Sequence, residues 1–142
     1  MKRPLILVVD DEEHMLNTVK FILESAGFGV KTARNGEEAR ETVLSYKARG
    51  EQFDLILTDI QMPGITGVDL VDQLRGMGVR APALVMTGYG TKGTADELRR
   101  KGLGEVLEKP FDEEELLVRV RLLCERGFSD REPRGPNGVA CC

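Results

Sequence analysis

The sequence predicts an α/β protein built on a parallel β-sheet of five strands. Short apolar runs, which are typical of strands buried on both faces, alternate with segments whose apolar residues recur at helical spacing. This alternation repeats five times along the chain, so each strand is joined to the next by a helix, as parallel pairing requires. Right-handed connections then favour a doubly wound, flavodoxin-like sheet with strand order 2-1-3-4-5 and five helices.

The first part of the chain supplies two of these strand–helix units. Leu5–Val9 is a continuous apolar run, and the helical pattern after it stops at Gly27, a typical residue just past a helix end. Gly29–Ala33 is a weaker second strand. Asn35 and Gly36 then turn the chain into the second helix.

The remainder supplies three more units. Residues 53–58, 83–86 and 105–107 are short runs rich in aliphatic residues and are predicted to be strands. The helix after the first of them is expected to begin at Thr66, a good N-cap residue, and a short helix is expected after the second. Asp112 is expected to cap the last helix.

A single domain is predicted over residues 1–126, because the chain has 142 residues and its regular pattern stops near residue 127. Residues 127–142 contain prolines and glycines without an apolar period, and are predicted to be a disordered tail or a linker stub. The first apolar run is too short for a signal peptide or a membrane helix. A cytoplasmic location without membrane contact is therefore expected.

Charge and cysteine content exclude several functional classes. The net charge of −4 argues against a mainly electrostatic nucleic-acid binder, and no groove-reading motif is present, so no nucleic-acid partner is expected. The three cysteines lack the spacing of a zinc site or a disulfide framework.

Polar residues follow the ends of four predicted strands. Asp10 and Asp11 follow the first strand, Asp59 the third, Thr87 the fourth and Lys109 the fifth. Ligands of doubly wound sheets bind at this carboxyl edge. Because strands one and three are neighbours in the predicted order, we expect their three carboxylates to meet there.

Such a group of carboxylates calls for a cation. Two carboxylates about 5 Å apart repel by roughly 3 kcal/mol at an effective dielectric near 20. Mg²⁺, a hard ion that prefers oxygen ligands, is the expected partner and also favours phosphate oxygens. With Lys109 as a positive charge and Thr87 as a hydroxyl donor, the site suits a phosphoryl group, which an aspartate nucleophile can carry. Helix capping is the structural alternative for Asp10 and Asp11.

Four motifs, VVDDE, LTDIQMPGITG, VMTGYG and LEKPF, occur in this order and resemble those of the response-regulator receiver domain of two-component signalling. The resemblance covers about residues 4–126. It implies that Asp59 is the phosphoacceptor. It also implies that Mg²⁺ is bound by Asp10, Asp11, Asp59 and the backbone carbonyl of Gln61.

The resemblance assigns roles to the other strand ends as well. Thr87 would be the hydroxyl that turns toward the phosphoryl group, and Lys109 would contact first the acceptor carboxylate and then a phosphoryl oxygen. The peptide bond between Lys109 and Pro110 is expected to be cis. Val106 is a departure, because the family usually has Tyr or Phe there as the second half of the switch.

Two further residues are expected to affect the lifetime of the aspartyl-phosphate. By this resemblance, Gln61 and Tyr89 would occupy positions that border the path of an attacking water. His14 is the single histidine and is expected to be an ordinary surface residue rather than a phosphodonor.

The function implied by this resemblance is a signalling switch rather than an enzyme. A histidine kinase or a phosphotransfer protein would supply the phosphoryl group, and phosphorylation would change a face that binds a downstream partner, which the sequence does not identify. One alternative is the receiver module of a larger hybrid sensor kinase or multidomain regulator, and another is a docking module without phosphorylation. An aspartate-nucleophile phosphatase is disfavoured, because Gln61 stands where such an enzyme needs an acid/base aspartate.

Overall fold

The computed structural model describes residues 3–88 and 92–131. Its five parallel strands form one sheet in the order β2-β1-β3-β4-β5, with a helix after each strand, so the predicted fold class and strand order are confirmed. The elements are β1 (Leu5–Val9), α1 (Glu13–Ser25), β2 (Gly29–Ala33), α2 (Gly36–Ala48), β3 (Leu55–Asp59), α3 (Gly67–Gly76), β4 (Ala83–Thr87), α4 (Lys92–Arg100), β5 (Glu105–Glu108) and α5 (Glu113–Arg131).

The core has two layers, one on each face of the sheet. Successive side chains of a strand point to opposite faces, so Leu7 of β1 packs with α2, α3 and α4, whereas its neighbour Val8 packs with α1 and α5. β3 and β4 are buried at every position, which explains why they read as continuous apolar runs. The carboxyl ends of the three central strands therefore lie side by side at one edge.

The helix ends follow the sequence signals. The predicted caps Thr66 and Asp112 accept a backbone N–H from the first turn of their helix at 3.0 and 2.8 Å, and Asn35, in the predicted turn into α2, does the same at 2.8 Å. Gly27 has a positive φ of 97°, and the N–H of Phe28 donates back to the carbonyl of Leu23 as the chain leaves α1.

The last helix extends further than the sequence suggested. α5 ends at Arg131, so the helix continues past residue 126, the predicted domain boundary. Residues 132–142 lie outside the described part of the chain. Within the part that is described, no helix combines the length and apolarity needed to cross a membrane.

A half-buried arginine joins two connections at the opposite edge of the sheet from the carboxylates. The guanidinium of Arg75 donates to the carbonyl oxygens of Val79 at 3.0 Å, Ala81 at 2.6 Å and Leu103 at 3.1 Å. Burial lowers the pKa of Arg75. Because its three acceptors lie in two different connections, Arg75 links the α3–β4 connection to the α4–β5 connection.

Candidate functional site

Three carboxylates meet at the carboxyl edge of the sheet and are called the carboxylate cluster below. Asp10 follows β1 and Asp59 ends β3, and these two strands are paired. One oxygen from each of Asp10, Asp11 and Asp59 lies within 4.8 Å of the others. Asp10 is buried, Asp11 is exposed and Asp59 is only 9% exposed. The structure thus brings together the three acidic residues that the strand order placed here.

Asp10 has the feature of the carboxylate cluster that best suits a cation. One of its oxygens accepts the N–H of Glu12 at 2.9 Å, whereas Oδ2 is buried without a hydrogen-bond partner among the described residues. Burial, together with the nearby charge of Asp59, raises the pKa of Asp10 to about 6. An unpartnered buried oxygen beside two further carboxylates provides the oxygen-only ligands that Mg²⁺ prefers.

Lys109 supplies a positive charge next to the carboxylate cluster. Its Nζ donates to Oδ1 of Asp59 at 3.4 Å, and both side chains are largely buried. The backbone N–H of Lys109 donates to the carbonyl of Thr87 at 2.7 Å, which joins the ends of β5 and β4. The peptide bond to Pro110 is cis, as expected.

The other predicted residues occupy different environments. Thr87 is buried at the end of β4. Gln61 is exposed in the loop after β3. Val106 is buried in β5 opposite Val85, where it contributes to the core layer that contains α2, α3 and α4. Tyr89 lies outside the described residues.

His14 is exposed on α1, as expected.

Gly67 lies directly against the backbone of Asp59. The N–H of Gly67, the first residue of α3, donates to the carbonyl of Ile60 at 2.8 Å. A Cβ on Gly67 would overlap the backbone carbonyl oxygen of Asp59. The sequence motif that contains Gly67 does not predict this contact. A glycine directly after the N-cap Thr66, where many residues suit a helix, was the available signal.

We expect Asp10→Asn to stabilise the cation-free protein at pH 7. The pKa of Asp10 rises from 3.8 to about 6 on folding, so between these pH values the folded chain holds more protons than the unfolded chain. The free energy of unfolding should therefore fall as the pH rises from about 4 to about 6. Above pH 6, the full cost of keeping Asp10 ionised in the folded protein is present. Removing the charge should recover about 3 kcal/mol at pH 7.

Urea unfolding in EDTA at pH 5 and pH 7 measures this effect. Asp72→Asn, which changes an exposed carboxylate of α3, is the control and should leave the wild-type pH dependence in place. An Asp10→Asn variant no more stable than wild type at pH 7 would show that the charge of Asp10 carries no penalty.

Comparison with known proteins places the chain in a family. A sequence profile described as the response regulator receiver domain matches residues 6–121. The chain is 31% identical over 115 residues to the transcriptional regulatory protein FixJ of Bradyrhizobium diazoefficiens, covering 81% of this chain and 54% of that protein. It is 34% identical over 121 residues to the alkaline phosphatase synthesis transcriptional regulatory protein PhoP of Bacillus subtilis, covering 85% and 48%. The chain thus spans about half the length of these curated relatives.

Solved structures agree with the sequence matches. A response regulator receiver domain protein from Clostridium thermocellum aligns with a TM-score of 0.79 at 28% identity, over 87% of this chain and 95% of that one. The chemotaxis protein CheY4 of Vibrio cholerae aligns with a TM-score of 0.75 at 31% identity, over 86% and 99%. The sheet order, the carboxylate cluster and these matches agree: the chain belongs to the response-regulator receiver domain family.

Proposed function

We propose that the chain is a phosphoacceptor switch of a two-component system, with Asp59 as the residue that takes the phosphoryl group. The observation that supports this best is the placement of Lys109 Nζ 3.4 Å from Asp59 Oδ1, beside Asp10 and Asp11. One carboxylate is thus flanked by a fixed positive charge and by oxygen ligands for a divalent cation. An anionic nucleophile needs both to approach a phosphoryl group.

Asp10, Asp11 and Asp59 would hold Mg²⁺, and the backbone carbonyl of Gln61 would be a further ligand. The fit rests on the oxygen-only ligand set and on the buried Oδ2 of Asp10, which has no other partner in the described chain. When bound, Mg²⁺ supplies positive charge to the phosphoryl oxygens and relieves the repulsion within the carboxylate cluster.

The donor would be a phosphohistidine of a histidine kinase or a phosphotransfer protein. A carboxylate oxygen of Asp59 attacks phosphorus in line, the new O–P bond forms, and the P–N bond breaks with its electron pair passing to the imidazole. Lys109 stabilises the oxygens whose charge increases, and the Thr87 hydroxyl, buried at the same edge, donates to one of them. The product is an acyl phosphate on Asp59.

A groove beside Lys109 suits the approach of such a donor protein. It has a volume of about 360 Å³ and runs between α1 and the β5–α5 connection, with Met15 and Ile22 on one side and Phe111 on the other. These three side chains are half-buried. Partly exposed apolar side chains beside the lysine that contacts Asp59 are typical of a protein-binding surface rather than of a small-substrate pocket.

Phosphorylation would be transmitted through β4 and β5. The added group carries about −1.5 to −2 charges, which is enough to draw the Thr87 hydroxyl toward it. Thr87 and Lys109 are joined through the 2.7 Å backbone hydrogen bond, so a change at Thr87 reaches β5 directly. Since Val106 has no ring to rotate, we infer that this backbone link carries the change to the face formed by α4, β5 and α5.

Intact-mass measurement after incubation with acetyl phosphate tests the proposal. We expect one added phosphoryl group in Mg²⁺ and none in EDTA, and we expect hydroxylamine to remove it, as it removes acyl phosphates. Because a small donor can fail where a protein donor succeeds, a phosphorylated histidine kinase is the second donor. No transfer from either donor would overturn the proposal in favour of a docking module.

Replacing Lys109 with Met should slow phosphorylation by about 10²-fold. The substitution removes the Lys109 ammonium group, which contacts Asp59. Loss of one such charge-stabilising group raises the activation barrier of the reaction by about 2.7 kcal/mol. The rate of phosphoryl gain measured by mass provides the test. Lys31→Met, at an exposed position of β2, is the control and should keep the wild-type rate. Equal rates for the two variants would remove Lys109 from the mechanism.

A further inference from the structure

The loop that follows the acceptor strand, residues 61–66, is called the acceptor loop here. It contains Gln61, whose carbonyl is a proposed cation ligand. The hydrogen bond from the N–H of Gly67 to the carbonyl of Ile60, 2.8 Å long, closes the loop at its base. A loop closed at its base can still tilt as a unit, so its position depends on what its side chains contact.

Two acceptor-loop side chains, Met62 and Ile65, pack against the core, and Ile65 is the one that contacts the start of α2. It is half-buried, packs against the core layer of α2, α3 and α4, and lies against Gly36, the first residue of α2. A Cβ on Gly36 would overlap both Cγ1 and Cδ1 of Ile65, and the next nearest atom, of Leu70, would be 3.9 Å away. The space at Gly36 is therefore filled by one side chain of the acceptor loop.

The backbone at Gly36 does not itself require glycine. The φ angle of Gly36 is not positive, so other residues could adopt this backbone conformation. Glycine is also a poorer helix former than alanine. Gly36 is also held independently of the loop, because Asn35 caps α2 by accepting the N–H of Glu38 at 2.8 Å. The glycine is thus explained by the space that Ile65 needs, and α2 provides a fixed surface for the loop to rest on.

We propose that the contact between Gly36 and Ile65 positions the acceptor loop and thereby the Gln61 carbonyl for Mg²⁺. Both are positioning residues, and the inference rests on the proposed role of the carboxylate cluster in phosphorylation. The contact between Gly36 and Ile65 holds the acceptor loop against α2. The hydrogen bond from the N–H of Gly67 to the carbonyl of Ile60 holds the base of the loop. Together they leave Gln61 little freedom, which matters because Mg²⁺ demands near-ideal octahedral geometry.

Two substitutions disturb this contact in opposite ways. Gly36→Ala overfills the space and forces Ile65 away, whereas Ile65→Ala leaves the space empty. We expect each to weaken Mg²⁺ binding about three- to tenfold, measured by calorimetric titration. In the double variant the added Cβ no longer meets the Ile65 atoms that it would overlap, so its affinity should exceed that expected from multiplying the two single effects.

Gly76→Ala is the matched control. Gly76 is also helical, lacks a positive φ, and has no described atom within 4 Å of an added Cβ, so Mg²⁺ affinity should stay at the wild-type value. The stability of each variant is measured in parallel by urea unfolding. A purely structural role would lower the free energy of unfolding without changing Mg²⁺ affinity.

The outcomes separate this inference from the proposed function. Wild-type Mg²⁺ affinity in both Gly36→Ala and Ile65→Ala, in a protein that still accepts a phosphoryl group, would overturn the positioning role alone. Failure of the wild type to bind Mg²⁺ or to accept a phosphoryl group would overturn the proposed function and this inference with it. If Gly36→Ala does not fold, Ile65→Ala decides, because it only removes atoms from a half-buried side chain.

Discussion

Asp59→Asn is expected to gain no phosphoryl group under conditions in which the wild type gains one. An amide oxygen is neutral and a poor nucleophile, so the substitution removes the reacting charge while keeping the shape of the side chain. The asparagine oxygen can still accept a hydrogen bond from Lys109, which lies 3.4 Å from Asp59 Oδ1, so the surrounding contacts are retained. The expected loss is therefore complete, and it is chemical rather than structural.

Intact mass after incubation with acetyl phosphate and Mg²⁺ measures this loss. Asp72→Asn, an exposed carboxylate of α3, should gain the phosphoryl group at the wild-type rate. A phosphoryl group on the Asp59→Asn variant, formed as fast as on wild type, would move the acceptor to another carboxylate. Asp11 would be the first to test, since it is the exposed member of the carboxylate cluster.

Gly67→Ala should be the most destabilising single methyl addition near the site. The added Cβ would overlap the carbonyl oxygen of Asp59 and lie 3.1 Å from Cα of Ile60, and these are backbone atoms that cannot rotate away. Overpacking of this kind costs about 3 kcal/mol when neighbours cannot yield. Because Asp59 itself must move, we expect slower phosphorylation as well as a lower free energy of unfolding.

Urea unfolding and the rate of phosphoryl gain, measured on the same samples, test this prediction. Gly93→Ala is the control, because an added Cβ on this glycine of α4 would have no described atom within 4 Å. It should be as stable as wild type or slightly more stable, since alanine is the better helix former. A Gly67→Ala variant with the stability of Gly93→Ala would show that the Asp59 backbone yields easily.

The sequence predicted the sheet well because strands that are buried on both faces are rich in consecutive apolar residues. β1 and β2 have the predicted bounds, and β4 and β5 each extend one residue further than predicted. β3 was expected from residue 53 but begins at Leu55. Phe53 is buried as a connection residue, so its apolar character reflects packing and not strand pairing. Burial alone cannot separate these two cases.

The end of α5 was missed for a related reason. The apolar period of this helix stops near residue 127, whereas the backbone stays helical to Arg131. A period reports only the face that contacts the core. A helical stretch whose sequence lacks an apolar period therefore cannot be recognised from periodicity.

The candidate site divides into what strand order determines and what packing determines. The meeting of Asp10, Asp11 and Asp59 follows from the adjacency of β1 and β3, which the topology rules supply. The contacts of Gly36 and Gly67 do not follow from any local pattern, because the atoms that exclude a Cβ belong to residues of other elements. Only coordinates bring those atoms together.

The hydrogen bonds of Arg75 imply that the two edges of the sheet respond differently to the solvent. The guanidinium is held by three peptide carbonyls, which neither titrate with acid nor carry a charge that added salt would screen. The carboxylate cluster, by contrast, depends on ionisation and on counter-ions. High ionic strength or mild acid should therefore relieve the repulsion at the edge that carries Asp59 in the cation-free protein, while the connections around Arg75 keep the same hydrogen-exchange protection.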